Sequence, residues 1–140
     1  MKKNFIKKAA ALGVIGILTL GQSFNAFAAV SYIYSADYDS DSNNSTGRVT
    51  RYLTGTMKGT SNYLGIEVHG VYTVRGSSRI VETNGASLNK SVVDSSVSAI
   101  AIYTGTIGDG RNYYAVRCAG SYKTSKNGSW YPVALQFVEF

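Results

Sequence analysis

One cysteine, one histidine and one proline occur in the whole chain of 140 residues, and each scarcity removes a class of explanation. Cys118 has no second cysteine with which to close an internal disulfide, so the fold must rest on packing alone. An exposed thiol outside a cell is a liability, and Cys118 is expected to be buried. His69 and Cys118 together supply too few ligands for a structural zinc ion, which takes four. No serine lies in a G-x-S-x-G context, so the strained nucleophile turn of the α/β-hydrolases is missing. No Gly-x-Gly string precedes a helix that would offer its amides to a phosphate.

Long apolar runs are scarce as well. The one that stands out, Ala9 to Leu20, is shorter than the roughly 20 residues a helix needs to cross a bilayer. Lys2, Lys3, Lys7 and Lys8 precede it and Ala26-Phe27-Ala28 follow it, which are the three parts of a secretory signal peptide. Cleavage after Ala28 is expected, leaving residues 29–140 as one soluble, secreted, extracellular domain with a bacterial type of leader. Four lysines leave with residues 1–28, and the remaining ten basic residues against eight acidic ones give a net charge of +2 instead of +6. No basic run remains, which argues against a nucleic-acid partner.

What is abundant is Tyr, Val, Ile, Thr, Ser and Gly in alternation. Val30, Tyr32, Tyr34, Ala36 and Tyr38 share one face, with period two over nine residues. Similar runs cover 49–57, 63–75, 97–106, 113–124 and 130–140, with a weaker one at 79–82. Asn84-Gly85, Asp109-Gly110 and Asn127-Gly128 separate them as dipeptides suited to the positive φ of tight turns.

The chain also echoes itself. TGTMKGTSNYLGIEVHGVYTV, from Thr54, lies without a gap over TGTIGDGRNYYAVRCAGSYKT, from Thr104, with seven of 21 positions identical. The overlay sets Leu64, Ile66, Val68, Gly70, Tyr72 and Val74 against Tyr114, Val116, Cys118, Gly120, Tyr122 and Thr124 as the inward faces. It puts Cys118 in the slot of Val68 and marks Gly70 and Gly120 as bulges or close backbone approaches. In the final run, Tyr131, Val133, Leu135 and Phe137 are expected to face inward, and Pro132 suits an edge. The expected fold is all-β: a small antiparallel β-sandwich or closed barrel of about six to seven strands, with two related hairpin units.

Three groups of residues are candidates for chemistry. Asp37, Asp39 and Asp41 take the first, third and fifth places of an EF-hand pattern, but Ser42 stands where that loop needs Gly and Arg48 where it needs Glu, so calcium is a weak expectation. Glu67 and His69, two apart on an outward face, have acid-base spacing, while the second unit carries Arg117 and Ala119 there. The scattered carboxylates Glu67, Glu82, Asp94, Asp109 and Glu139 leave a glycosidase pair open. Tyr63 and Tyr113, at matched outward positions after a matched Asn, together with Trp130 and the nearby Arg117 and His69, form an aromatic surface suited to a glycan or a protein.

The expected function is that of a secreted, non-catalytic domain that binds an extracellular glycan or protein through these residues, without a cofactor. A membrane-active, bacteriocin-like toxin, drawing on the alternating stretch from Lys90 to Thr106, is the alternative. A small hydrolase ranks third for want of catalytic groups.

Overall fold

The computed structural model describes residues 31–93 and 95–140; the expected leader and cleavage site, Val30 and Asp94 lie outside the described residues. β1 (Tyr32–Asn43), β2 (Arg48–Gly59) and β6 (Ser96–Thr106) form a three-stranded antiparallel sheet in the order β1-β2-β6, called sheet 1. β3 (Tyr63–Val74) and β7 (Arg111–Lys123) are the central strands of the larger sheet 2. β5 (Ala86–Ser91) and β4 (Ile80–Glu82) share the outer edge of β3, and β9 (Gln136–Glu139) and β8 (Tyr131–Pro132) share that of β7. The two sheets pack face to face as a sandwich, and no ladder among the described residues joins β1 or β6 to sheet 2, so the barrel alternative is not the one that forms.

Alternation produces the core. Leu53, Met57, Val97, Ala99 and Ala101 point inward from sheet 1, and Leu64, Ile66, Val68, Val116, Cys118 and Val138 point inward from sheet 2. Cys118 is fully buried, as expected, and burial pushes its thiol up to about 12, so it packs as a small hydrophobe. Glycines let the sheets close. A Cβ on Gly55 would stand 2.6 Å from Val68 and 2.9 Å from Cys118, and one on Gly70 would stand 2.9 Å from Leu53. Gly70 and Gly120 are thus places of close approach and not bulges, because the register slips only between Val71 and Tyr72, opposite Tyr114.

The echo in the sequence is an echo in the structure. Val68 pairs with Cys118, the residue fifty positions on, and Tyr52 pairs with Ile102 in the same relation. Each central strand therefore lies antiparallel to its own counterpart about an approximate two-fold axis. The outer strands follow: β5 lies on β3 in the register in which β9 lies on β7, and β4 corresponds to β8 in the same way. Even the breaks between the short strands correspond, since the Thr83 N–H donates to Gly70 O (2.9 Å) as the Val133 N–H donates to Gly120 O (3.0 Å).

At each break a hydroxyl completes the backbone. Thr83 Oγ1 accepts from the Gly70 N–H (2.7 Å) and donates to Asn84 O (3.1 Å). In the second unit Val133 stands where Thr83 does and has no hydroxyl. Tyr34, from a strand with no counterpart in the duplication, supplies it by accepting from the Gly120 N–H (2.7 Å) and donating to Ala134 O (3.1 Å). Burial pushes the Tyr34 phenol up, which keeps the donated proton in place.

Three expectations are corrected. ASLNKS, in which only Ala86 and Leu88 alternate with polar residues, lies outside the expected runs and is nonetheless strand β5, because β3 offers it a ladder partner. The last run is broken at 133–135, so the residue buried from β9 is Val138, while Phe137 and Leu135 are exposed together with Tyr131. Of the three Gly-containing dipeptides expected to turn through positive φ, only Gly110 does so (φ 74°); Gly85 is required instead because the His69 ring lies where its side chain would be.

The close approach at Gly55 gives a direct test. Gly55→Ala is expected to lower stability by about 1 to 3 kcal/mol through overpacking, measured by urea denaturation, and an unchanged midpoint would contradict the packing described.

Candidate functional site

The outer face of sheet 2 carries most of the residues singled out from the sequence. Tyr63 at the start of β3 lies opposite Lys123 at the end of β7. Trp130, just before β8, completes the row: the Lys123 ammonium lies 5.2 Å from the Tyr63 ring centroid and 5.1 Å from that of Trp130. Its Nζ also donates to Lys126 O (2.7 Å), which anchors it to the turn that leads into Trp130. Lys123 was not among the residues expected here; its outward place two residues after Ser121 was the available signal.

Below this row the face is low, because Gly65 lies opposite Ser121 and Glu67 opposite Ala119. A side chain at Gly65 would collide with Asn89 and Ser121, so these two polar groups form the floor. The next row is charged. His69 lies opposite Arg117, which donates from Nε to Glu82 Oε2 (2.9 Å) and approaches Glu67 Oε1 at 3.6 Å. His69 Nδ1 donates to Thr83 O (2.8 Å) and Nε2 meets Glu67 Oε1 at 2.5 Å. The hydrogen bond to His69, with Arg117 behind it, holds the Glu67 carboxyl below the usual range. The expected Glu67–His69 pair therefore forms, but as part of a salt-bridged network. Phe137, half exposed, lies beside Arg117 from β9.

Tyr113 does not belong to this face. The extra residue Tyr114 in β7 turns Tyr113 inward against Tyr72, while Tyr63, at the matched position, stays outward. Tyr113 packs among Tyr38, Tyr72 and Tyr103 under the Arg51 guanidinium, and burial pushes its phenol up to about 12 against the opposing effect of Arg111.

The three aspartates are also placed differently from the calcium reading. Asp37, Asp39 and Asp41 lie on β1, opposite Thr54, Tyr52 and Thr50, on the outer face of sheet 1. An extended strand spaces such carboxylates about 6.5 to 7 Å apart. Asp37 and Asp39 accept from the next residue's N–H, and no group of three or more His, Cys, Asp or Glu among the described residues is placed to hold a metal ion.

The strongest ion pair is one the sequence reading passed over. Arg51 points inward between Val49 and Leu53 and meets Asp109 with two hydrogen bonds, Nη1 to Oδ2 (2.9 Å) and Nη2 to Oδ1 (2.8 Å). An arginine at an inward position of an apolar alternation was the signal. Burial works to raise the Asp109 carboxyl, but the hydrogen bonds from Arg51 and the Arg111 N–H outweigh it and hold it below the usual range. No family model, no curated protein and no solved structure matches the chain, so these roles rest on geometry alone.

With its folded value depressed below the unfolded value of about 4, Asp109 contributes stability that is full above about pH 4 and is lost as pH falls through the folded value. Asp109→Asn is expected to cost about 3 to 5 kcal/mol at neutral pH by leaving Arg51 without its charged partner. It should also flatten the acid limb of the stability profile, and urea denaturation at neutral and acid pH checks both; a variant as acid-sensitive as the parent contradicts the assignment.

Proposed function

We propose that this protein is a secreted, non-catalytic domain that binds an extracellular partner, a cell-wall glycan foremost, on the outer face of sheet 2. The observation that carries the reading is the row of Tyr63, Lys123 and Trp130. Two aromatic rings held on either side of one cation, at the end of a rigid sheet, offer apolar faces and a charge to the same ligand. Asn89 and Ser121 on the floor supply hydrogen-bonding groups, and Arg117 and Phe137 extend the surface by roughly 20 Å along β7. An open face of that length suits a polymer. The leader expected at residues 1–28 supports delivery of such a domain outside the cell.

On this face Glu67 and His69 are engaged with each other, and Cys118 is buried on the opposite side of the sheet. A membrane-active role is the second reading, favoured by Ile100 and Ile102, which are 51% and 62% exposed on the outer face of β6. That is the stretch whose alternation suggested it.

Co-sedimentation with purified cell walls and with liposomes separates the two. The parent is expected to pellet with walls, and Tyr63→Ala/Trp130→Ala to bind more than tenfold more weakly, a hot-spot effect, with a nearly unchanged Tm. Wall binding that survives the double substitution contradicts the proposal, and pelleting with liposomes alone replaces it with the second reading.

A further inference from the structure

The antiparallel pair of β3 and β7 has a second end, about 35 Å along the strands from Tyr63. There the turn after β3 and the turn between β6 and β7 enclose an open cleft of about 510 Å³, lined by Arg51, Arg75, Arg111, Asp109, Ser77 and Asn112 among others. The two turns are tied together, since the Arg75 N–H donates to Gly110 O (2.8 Å). Gly76 and Gly110 pass through positive φ (78° and 74°), so no Cβ of theirs narrows the mouth.

Three arginines and one aspartate line this cleft. Both oxygens of Asp109 are committed to Arg51, and Arg111 Nε stands 4.0 Å away from it. The Arg111 guanidinium lies over the Tyr72 ring at 5.3 Å, which fixes its plane without neutralising its charge. Arg75 makes no salt bridge among the described residues. Asp109 thus positions Arg51 and the turn, and the charge of two arginines is left uncompensated in a concave site, where the field is focused. Guanidinium groups match the oxygens of phosphate and carboxylate with paired N–H donors, and two unmatched positive charges complement a dianion.

We propose that this cleft binds a dianionic oxyanion, a phosphate or phosphomonoester group, between Arg75 and Arg111. The site is independent of the aromatic face and needs no protein partner. Its ligand comes either free, as inorganic phosphate, or as the phosphate end of a larger molecule.

The test is an NMR titration of the protein with inorganic phosphate and, separately, with glycerol 3-phosphate, at constant ionic strength against chloride. Saturable shifts confined to the amides of residues 75–77 and 108–112 are expected. Tighter binding of glycerol 3-phosphate assigns a phosphomonoester ligand, and tighter binding of inorganic phosphate assigns the free ion. Arg75→Ala, a residue whose side chain supports no packing in the core, should weaken binding about tenfold, the loss of one charge-assisted contact; Arg75→Lys should retain part of it, and Lys58→Ala, on the outer face of sheet 1, should change nothing. Shifts spread over every basic residue, an absence of saturation for both anions, or unchanged binding by Arg75→Ala overturns the proposal.

Discussion

Two backbone amides set the terms for this sandwich. A central strand flanked by two short strands instead of one long one has a break in its outer ladder, and the N–H at that break is buried. Left without an acceptor, such a group costs about 1 to 3 kcal/mol. In the first unit Thr83 closes the gap at Gly70; in the second, Tyr34 reaches across from sheet 1 to close it at Gly120. The second solution does more, because one hydroxyl joins the two sheets and also holds the Ala134 carbonyl, in the segment between β8 and β9. Tyr131 and Phe137 lie on either side of that segment, each paired with β7.

The duplication explains the architecture, and its imperfections explain the functional surfaces. A symmetric pair of units would carry matching tyrosines outward at both ends of sheet 2. The extra residue Tyr114 breaks the match: it leaves Tyr63 outward, beside Lys123 and Trp130, and buries Tyr113 as the floor under Arg51. One end becomes an open aromatic face with a single cation, and the other becomes a cleft of arginines around one aspartate. β1, which has no counterpart, completes sheet 1 and brings the missing hydroxyl. Divergence between two copies of one unit is sufficient to produce two surfaces of different chemistry on one small domain.

Period-two alternation made β2, β3, β6 and β7 legible, together with the inward places of Leu64, Ile66, Val68, Val116 and Cys118, whereas Val74 and Thr124, expected inward, are exposed and Tyr114 bulges out of the ladder. The fifty-residue echo made the related units legible, but they are not hairpins: β2 and β3, like β6 and β7, lie in different sheets and do not pair. What escaped the sequence escaped for physical reasons. β5 carries only Ala86 and Leu88 on one face at an edge, too short an alternation to detect. A bulge at Tyr114, with no insertion in the sequence echo, reverses the side chains beyond it and moved Tyr113 inward, and the irregular residues 133–135 did the same to Phe137 and Val138. The Arg51–Asp109 pair joins residues 58 positions apart, and Lys123 gains its place only when Trp130 folds back beside it. The aspartates of β1 read as a loop because their composition is that of a turn, yet the ladder with β2 holds them extended.

The replacement of the Thr83 hydroxyl by that of Tyr34 at Gly120 is tested most directly by amide hydrogen exchange at that residue. Tyr34→Phe removes the acceptor while keeping the ring, and Val133→Thr restores a hydroxyl at the position where the first unit has Thr83. The Gly120 amide is expected to lose protection in Tyr34→Phe and to regain it in Tyr34→Phe/Val133→Thr. Protection that is unchanged in the single variant would contradict the account.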